Sequence, residues 1–285
     1  MSITPGITEQ YQNYFSIDMY YSHGTNNNQI GKSRRRLTMI VVSRFGHTSP
    51  LIIRWLYGIS QAQALVHLNK LCQEGLLDFT QTHRSPDDRV YVLTRAGAQY
   101  AEQLTGVQLH FRSSEQVSQR INLSSLYHDL IVQYVILRGI TGQYFQNGDS
   151  FDGWNCFVTD AEFRKIARKF DVRSVDAIVR EPSGTLCAVE FEHSFKSPES
   201  RKGILLKYAQ GLELGCYEKI MFFSQKKDIL ADAKRINEGA IDYLTAHTKP
   251  KSSAAWLTEE DAQRLKAALV YRTKFCDELA ERFYR

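Results

Sequence analysis

The feature that most constrains this chain is a pair of short apolar segments that carry three carboxylates. The segments are residues 175–180 and 185–191, and a Pro-Ser-Gly sequence separates them. That turn and the β-branched residues on either side predict a hairpin of two strands. Asp176 lies in the first strand, Glu190 lies in the second strand, and Glu192 directly follows it.

The two glutamates are two residues apart, so on a strand they point to the same face of the sheet. Asp176 is placed to meet them across the hairpin. Three carboxylates on apolar strands repel one another and resist burial unless a positive charge lies among them. A hard divalent cation, Mg²⁺ or Mn²⁺, with Asp176, Glu190 and Glu192 as oxygen ligands is therefore the predicted occupant. The alternative is a surface hairpin with solvated acids.

This order of residues resembles the PD-(D/E)xK nuclease superfamily, which has the restriction-endonuclease fold. Asp176 matches the first acid of the motif and Glu190 the second, but Glu192 stands where lysine is usual. The resemblance implies that Asp176 and Glu190 hold the metal, and that Glu192 orients a water or joins the metal shell. It also implies that a lysine farther along the chain stabilises the developing charge. That lysine is Lys207 or else Lys196 or Lys202.

A second pattern precedes the acidic strands, between Lys32 and Leu104. Apolar residues at helical spacing predict three helices, of which the second starts at Pro50 and the third is capped by Ser60 with Gln63 in a capping box. Two strand-like runs and a short helix follow. This order resembles the winged helix-turn-helix domains of bacterial DNA-binding proteins.

Charge supports that interpretation, because the segment from Lys32 to Glu102 holds ten basic and five acidic residues in a chain of net charge +5. By the resemblance, residues 60–72 form the recognition helix in the major groove of duplex DNA. The predicted base-reading residues are Gln61, Gln63 and His67. The predicted phosphate-binding residues are Arg34, Arg35, Arg36, Lys70, Arg84 and Arg89. The alternative is a fold that serves protein contact, with these charges solvated.

The expected fold class is α+β or α/β, with the winged helix-turn-helix followed by a mixed-sheet, restriction-endonuclease-like domain. The predicted divisions are an arm (1–31), the DNA-binding domain (32–110), the nuclease-like domain (111–248) and a C-terminal helix (254–285). An apolar helix at 123–137 is expected to pack beneath the sheet. The C-terminal helix suits docking on the body of the protein or on a second copy, which leaves a homodimer open.

Five scattered cysteines without a CxxC pair argue against disulfides and structural zinc, and no apolar run approaches a membrane span. We therefore expect a cytoplasmic protein without a membrane partner. The two-domain arrangement resembles plasmid replication-relaxation and mobilisation proteins, including relaxases related to restriction endonucleases. This resemblance implies binding to a plasmid origin, metal-dependent nicking of one strand, and relaxosome accessory proteins as partners. The alternative is a non-catalytic DNA-binding regulator or accessory protein with a degenerate nuclease fold.

Overall fold

The computed structural model describes residues 6–21, 24–109, 111–141, 153–249 and 253–284. The chain divides into two compact units. The helical unit comprises Asn13–Trp154, and the sheet unit comprises Asn155–Arg285 together with the residues up to Gln12. Both helices and a mixed sheet are present, which confirms the expected α+β class. Among the described residues, no helix combines the length and the apolar composition of a membrane span.

The helical unit contains helices and one antiparallel hairpin. Its elements are α2 (Asn27–Phe45), α3 (Pro50–Tyr57), α4 (Gln61–Gln73), β1 (Leu77–Gln81), β2 (Arg89–Leu93), α5 (Arg95–Thr105), a 3-10 turn (Val117–Arg120) and α6 (Leu126–Thr141). Helix α1 (Ile7–Phe15) crosses the boundary between the units. The predicted order of three helices, hairpin and helix is therefore present.

Local signals set the starts and ends of these helices. Ser49 caps α3 and Pro50 occupies its first turn, while Gly58 ends it in the left-handed region at φ 60°. The predicted capping box of Ser60 and Gln63 at the start of α4 is confirmed. These signals act within one turn of helix, so the sequence alone identifies them.

Helix α6 corrects the predicted domain boundary at residue 110. It belongs to the helical unit and not to the sheet unit. There it packs against α3, with the ring of Tyr134 4.6 Å from that of Trp55. Buried Gln133 donates to the backbone oxygen of His47 at 2.8 Å and accepts from the Thr48 hydroxyl at 3.2 Å. The apolar face of α6 is thus used within the helical unit.

The sheet unit is built on a five-stranded sheet in the order β3-β4-β5-β6-β7. Its elements are β3 (Cys156–Thr159), α7 (Asp160–Ala167), β4 (Ala177–Arg180), β5 (Leu186–Phe191), α8 (Pro198–Glu213), β6 (Lys219–Phe223), α9 (Lys227–Ala246), α10 (Glu259–Ala268), β7 (Leu269–Tyr271), a 3-10 turn (Thr273–Phe275) and α11 (Cys276–Phe283). The first three strands are antiparallel and the last three are parallel.

The predicted single C-terminal helix is wrong. Between α10 and α11 the chain forms strand β7, which pairs with β6 in parallel register, Met221 opposite Val270. The backbone N–H of Arg272 extends this pairing by donating to Phe222 at 2.9 Å. The prediction failed because three residues carry too little pattern to reveal a strand whose partner lies about fifty residues earlier in the sequence.

Candidate functional site

The register of the hairpin places two of the predicted acids side by side, where β4 begins and β5 ends. Strand β4 begins at Ala177, which is opposite Val189 of β5. Asp176 is therefore the residue before the strand and not in its middle, and its N–H donates to Val189 at 3.1 Å. Because β4 and β5 are antiparallel, the start of one strand meets the end of the other, where Glu190 lies.

Asp176 and Glu190 are held by different partners. An Asp176 oxygen, Oδ2, accepts from the backbone N–H of Phe191 at 2.7 Å. The side chain of Glu190 is 4 % exposed, and its Oε1 accepts from the Tyr208 hydroxyl at 2.7 Å and from Nε of Arg173 at 3.3 Å. Both of these hydrogen bonds use the same oxygen of Glu190.

Burial, together with repulsion from Asp176, raises the pKa of Glu190 from 4.5 to about 7. Arg173 and the Tyr208 hydrogen bond act in the opposite direction, but they do not compensate for burial. The carboxyl group of Glu190 is thus protonated in part of the molecules at neutral pH. A cation that displaces this proton would relieve the repulsion between the two acids.

Glu192 lies just beyond β5 and has a separate environment from Glu190. Its carboxylate is 1 % exposed, and Nη1 of Arg201, itself buried, donates to Oε1 at 2.6 Å. Lys196 Nζ lies 3.0 Å from Oε2 and 3.2 Å from Oε1. Two cations therefore already neutralise this acid. Both glutamates contact side chains of α8, Tyr208 and Arg201, as expected for residues on one face of the sheet.

The three candidate lysines differ in their neighbours. Lys207 Nζ is 2.8 Å from Asp171, and both of these side chains are solvent-accessible. Lys202 pairs with Glu199 at 3.0 Å and lies over the Tyr243 ring. Lys196 is the one of the three whose ion pair is with an acid of the predicted site.

Sequence reasoning missed three residues that touch the glutamates: Arg173, Arg201 and Tyr208. A signal was available for two of them. Arg201 and Tyr208 are seven residues apart on α8, and this spacing places both on one face of a helix. That helix follows directly after the acidic strand, so its inward face is the natural source of partners for the acids.

The donor set fits a divalent cation at Asp176 and Glu190. Within the described ranges, no three acidic, histidine or cysteine side chains form a metal-binding group. Two carboxylates remain adjacent, one with a strongly raised pKa, and oxygen ligands of this kind suit Mg²⁺ and Mn²⁺. Glu192 does not fit as a third ligand while Arg201 and Lys196 hold it.

We expect Glu190→Gln to remove a pH dependence of stability from the metal-free protein. The folded-state pKa of Glu190 lies above its ordinary value. The contribution of Glu190 to the free energy of unfolding is therefore fully present below pH 4.5, and it is lost as pH rises towards about 7. Each pKa unit corresponds to about 1.4 kcal/mol, so the wild type should lose a few kcal/mol across this range relative to the variant. Gln keeps an oxygen for the Tyr208 hydroxyl.

Urea unfolding in EDTA at pH 5 and pH 8 measures this difference. The matched control is Glu213→Gln, which removes an exposed carboxylate from the same unit. Parallel pH profiles for wild type and Glu190→Gln would contradict the raised pKa.

The predicted base-reading side chains of α4 all have intramolecular partners. Gln61 Nε2 donates to Asp87 at 2.9 Å. Gln63 Oε1 accepts from both the N–H and the hydroxyl of Ser60, at 3.0 and 3.2 Å. Bidentate pairing with adenine needs one amide donor and one free amide oxygen, so the capping box is incompatible with the adenine contact predicted for Gln63.

His67 is turned towards the interior of the helical unit. Its Nε2 is 2.9 Å from the Thr38 hydroxyl, which is in turn 2.8 Å from the Tyr57 hydroxyl. Burial, together with the charges of Arg34 and Lys70, lowers the pKa of His67 to about 4. The ring is therefore neutral at pH 7 and serves the packing of α4 on α2.

Most of the predicted phosphate-binding arginines are also engaged. Arg34 donates to the Tyr21 hydroxyl at 3.1 Å, Arg35 pairs with Glu74 at 2.8 Å, and Arg36 pairs with Asp18 at 2.9 Å. Arg89 lies over the ring of Phe79, 5.7 Å from its centre. In the described part of the chain, exposed Lys70 and Arg84 have no ion-pair partner. These two side chains have their full charge available for an external anion.

Comparisons with known proteins add no relative: no family model matches the chain, and neither a curated protein nor a solved structure is significantly similar to it.

Proposed function

We propose that this chain is a DNA-binding, divalent-metal-dependent endonuclease that nicks one strand of duplex DNA. The observation that carries this proposal is the Asp176–Glu190 pair, held at one edge of the sheet with Glu190 buried and its pKa raised to about 7. Perturbed carboxylates of this kind are typical of catalytic and metal sites. In this proposal the helical unit is a winged helix-turn-helix and the sheet unit has a restriction-endonuclease-like fold.

In this reaction Asp176 and Glu190 would hold Mg²⁺ or Mn²⁺, which when bound polarises a phosphate and lowers the pKa of a coordinated water. Hydrolysis adds water across one phosphorus–oxygen bond and leaves two free strand ends. Lys196 is better placed than Lys207 to face the charge that develops on the phosphate, because it pairs with Glu192, two residues after Glu190, and its side chain is 31 % exposed. Arg201 fixes Glu192, and Glu192 in turn positions Lys196.

The expected substrate is plasmid origin DNA, as the resemblance to mobilisation relaxases implies, and relaxosome proteins are the expected partners. A second candidate function is a non-catalytic DNA-binding regulator or accessory protein. The ion pairs of Glu192 favour this candidate, because the residue at the position of the motif's usual lysine is an acid that Lys196 and Arg201 already neutralise.

Incubation of the full chain with supercoiled plasmid and Mg²⁺ or Mn²⁺ separates the two candidates. The nuclease yields open circles without protein attached to the nicked strand. Intact plasmid, together with retained DNA binding, would establish the regulator. A peptide left on the nicked strand after proteolysis would reject attack by water while keeping the enzyme.

DNA binding through the helical unit predicts a specific salt dependence. Lys70→Ala and Arg84→Ala should each reduce the steepness of the negative slope of log affinity against log salt by about 1, because each removes one phosphate contact. Arg35→Ala is the matched control, since its charge is already paired with Glu74. A larger change in slope for Arg35→Ala than for Arg84→Ala would contradict this assignment.

A further inference from the structure

Helix α4 exposes an apolar side chain that its own unit does not use. Val66 is 69 % exposed, although it lies in the middle of the helix. A β-branched residue at such a position is neither a strong helix former nor buried, so neither helix stability nor core packing accounts for it. The residues one turn away on the same surface include Ala62, Gln63, Asn69 and Lys70, all exposed.

This face has the charge of a surface that binds a polyanion. The sequence of α4, QAQALVHLNKLCQ, contains no carboxylate, and Lys70, four residues after Val66, has no ion-pair partner in the described part of the chain. Lys70 therefore lies next to Val66 with its charge available. Charge complementarity favours DNA over a basic or neutral apolar partner as the occupant of this face.

The side-chain amides beside Val66 already use their oxygens in intramolecular hydrogen bonds, so their NH₂ groups are what they can offer to a ligand as donors. Both interactions of Gln63 Oε1 are with Ser60, whose backbone N–H can only donate, so the amide NH₂ of Gln63 is the group left for a ligand. Asn69 Oδ1 likewise accepts from the Tyr91 hydroxyl at 3.0 Å. Donors at three residues before and after Val66 thus flank its two methyl groups.

In the major groove, thymine presents an acceptor, O4, next to the C5 methyl group. An amide donor beside an exposed valine is the complementary arrangement. We propose that Val66 and its flanking amides read thymine in the major groove, with Val66 in contact with the C5 methyl. This inference rests on the proposed DNA binding and names the base that α4 selects.

The experiment uses the full chain and a random duplex pool, from which the preferred site is selected and then remade with uracil in place of thymine. Uracil lacks only the C5 methyl, so wild type should bind the uracil duplex about fourfold more weakly, which is the equivalent of about 0.8 kcal/mol for one buried methyl group. Val66→Ala should bind both duplexes equally, and Val66→Thr, which keeps one methyl, should give an intermediate ratio.

Leu214→Ala, which truncates an exposed aliphatic side chain of the sheet unit, is the control and should keep the wild-type ratio. Val66→Ala should fold normally because alanine favours a helix, and circular dichroism checks this. Equal binding of thymine and uracil duplexes by wild type would overturn the inference while leaving DNA binding intact. Failure to enrich any duplex would overturn the DNA-binding function and this inference with it. Altered self-association in Val66→Ala, without any change in DNA affinity, would assign the face to a second copy.

Discussion

Replacing Asp176 with asparagine should reduce plasmid nicking by more than about a hundredfold, since even loss of an outer-shell partner of a metal site costs 10- to 100-fold. The amide keeps an oxygen for the N–H of Phe191 but supplies no negative charge for a cation. DNA affinity should remain within about twofold of wild type, because the predicted DNA contacts lie in the other unit. Nicking is measured by conversion of supercoiled to open circles, and affinity by a binding titration in EDTA.

The matched control is Asp171→Asn, five residues earlier, which removes an exposed carboxylate that pairs with Lys207. This control should nick normally, and it also tests whether the position of Lys207 matters. Nicking by Asp176→Asn at the wild-type rate would remove Asp176 from the site. Loss of activity in both variants would point to the loop before β4 and not to the acid pair.

Arg201→Leu should destabilise the protein by about 3 to 5 kcal/mol, the range measured when one partner of a buried ion pair is removed. Glu192 and Arg201 are both about 1 % exposed. Without Arg201, the buried carboxylate of Glu192 keeps only Lys196 as a cationic partner. Replacing both partners, as in Glu192→Leu with Arg201→Leu, should recover most of this loss, since no uncompensated charge then remains. Urea unfolding of the two single variants and the double variant measures the coupling.

Lys202→Leu, one residue later on α8 and paired with Glu199 at 3.0 Å, is the control for loss of a more exposed cation and should cost less than about 1 kcal/mol. A double variant as unstable as Arg201→Leu would show that the ion pair is not the cause of the loss. Nicking should fall in the double variant even where stability is recovered, because Lys196 loses the carboxylate that positions it.

Features that depend on neighbouring residues could be predicted from the sequence. The caps at Ser49 and Ser60 and the turn at Gly184 arise within a few residues, and the structure has each of them. The adjacency of Asp176 and Glu190 also follows from local pairing, because one short turn fixes the register of both strands.

Features that depend on distant partners could not be predicted in the same way. Strand β7 forms where β6 offers it a parallel neighbour. Helix α6 lies in the helical unit through its ring contact with α3 and the hydrogen bond of Gln133 to the segment before that helix. The assignment of Glu192 to a metal did not anticipate Arg201, because the helical spacing of Arg201 and Tyr208 indicates a shared face of α8 but not which acid each of them meets. Gln63 and His67 are predicted to read bases, but in the structure they form hydrogen bonds with Ser60 and Thr38.

The sheet unit combines two parts of the chain that are translated at different times. The Tyr11 hydroxyl donates to the backbone oxygen of Cys216 at 3.0 Å, across 205 positions of sequence. At roughly 5–20 residues per second, a ribosome needs about 10–40 s between these two residues. The whole of the helical unit is synthesised in that interval and can fold first. The backbone oxygen that Tyr11 bonds to does not yet exist at that stage. Ile7 and Tyr11 of α1, which are buried in the folded protein, are therefore exposed on the nascent chain during this interval. Exposed apolar side chains of this kind are what chaperones bind during translation.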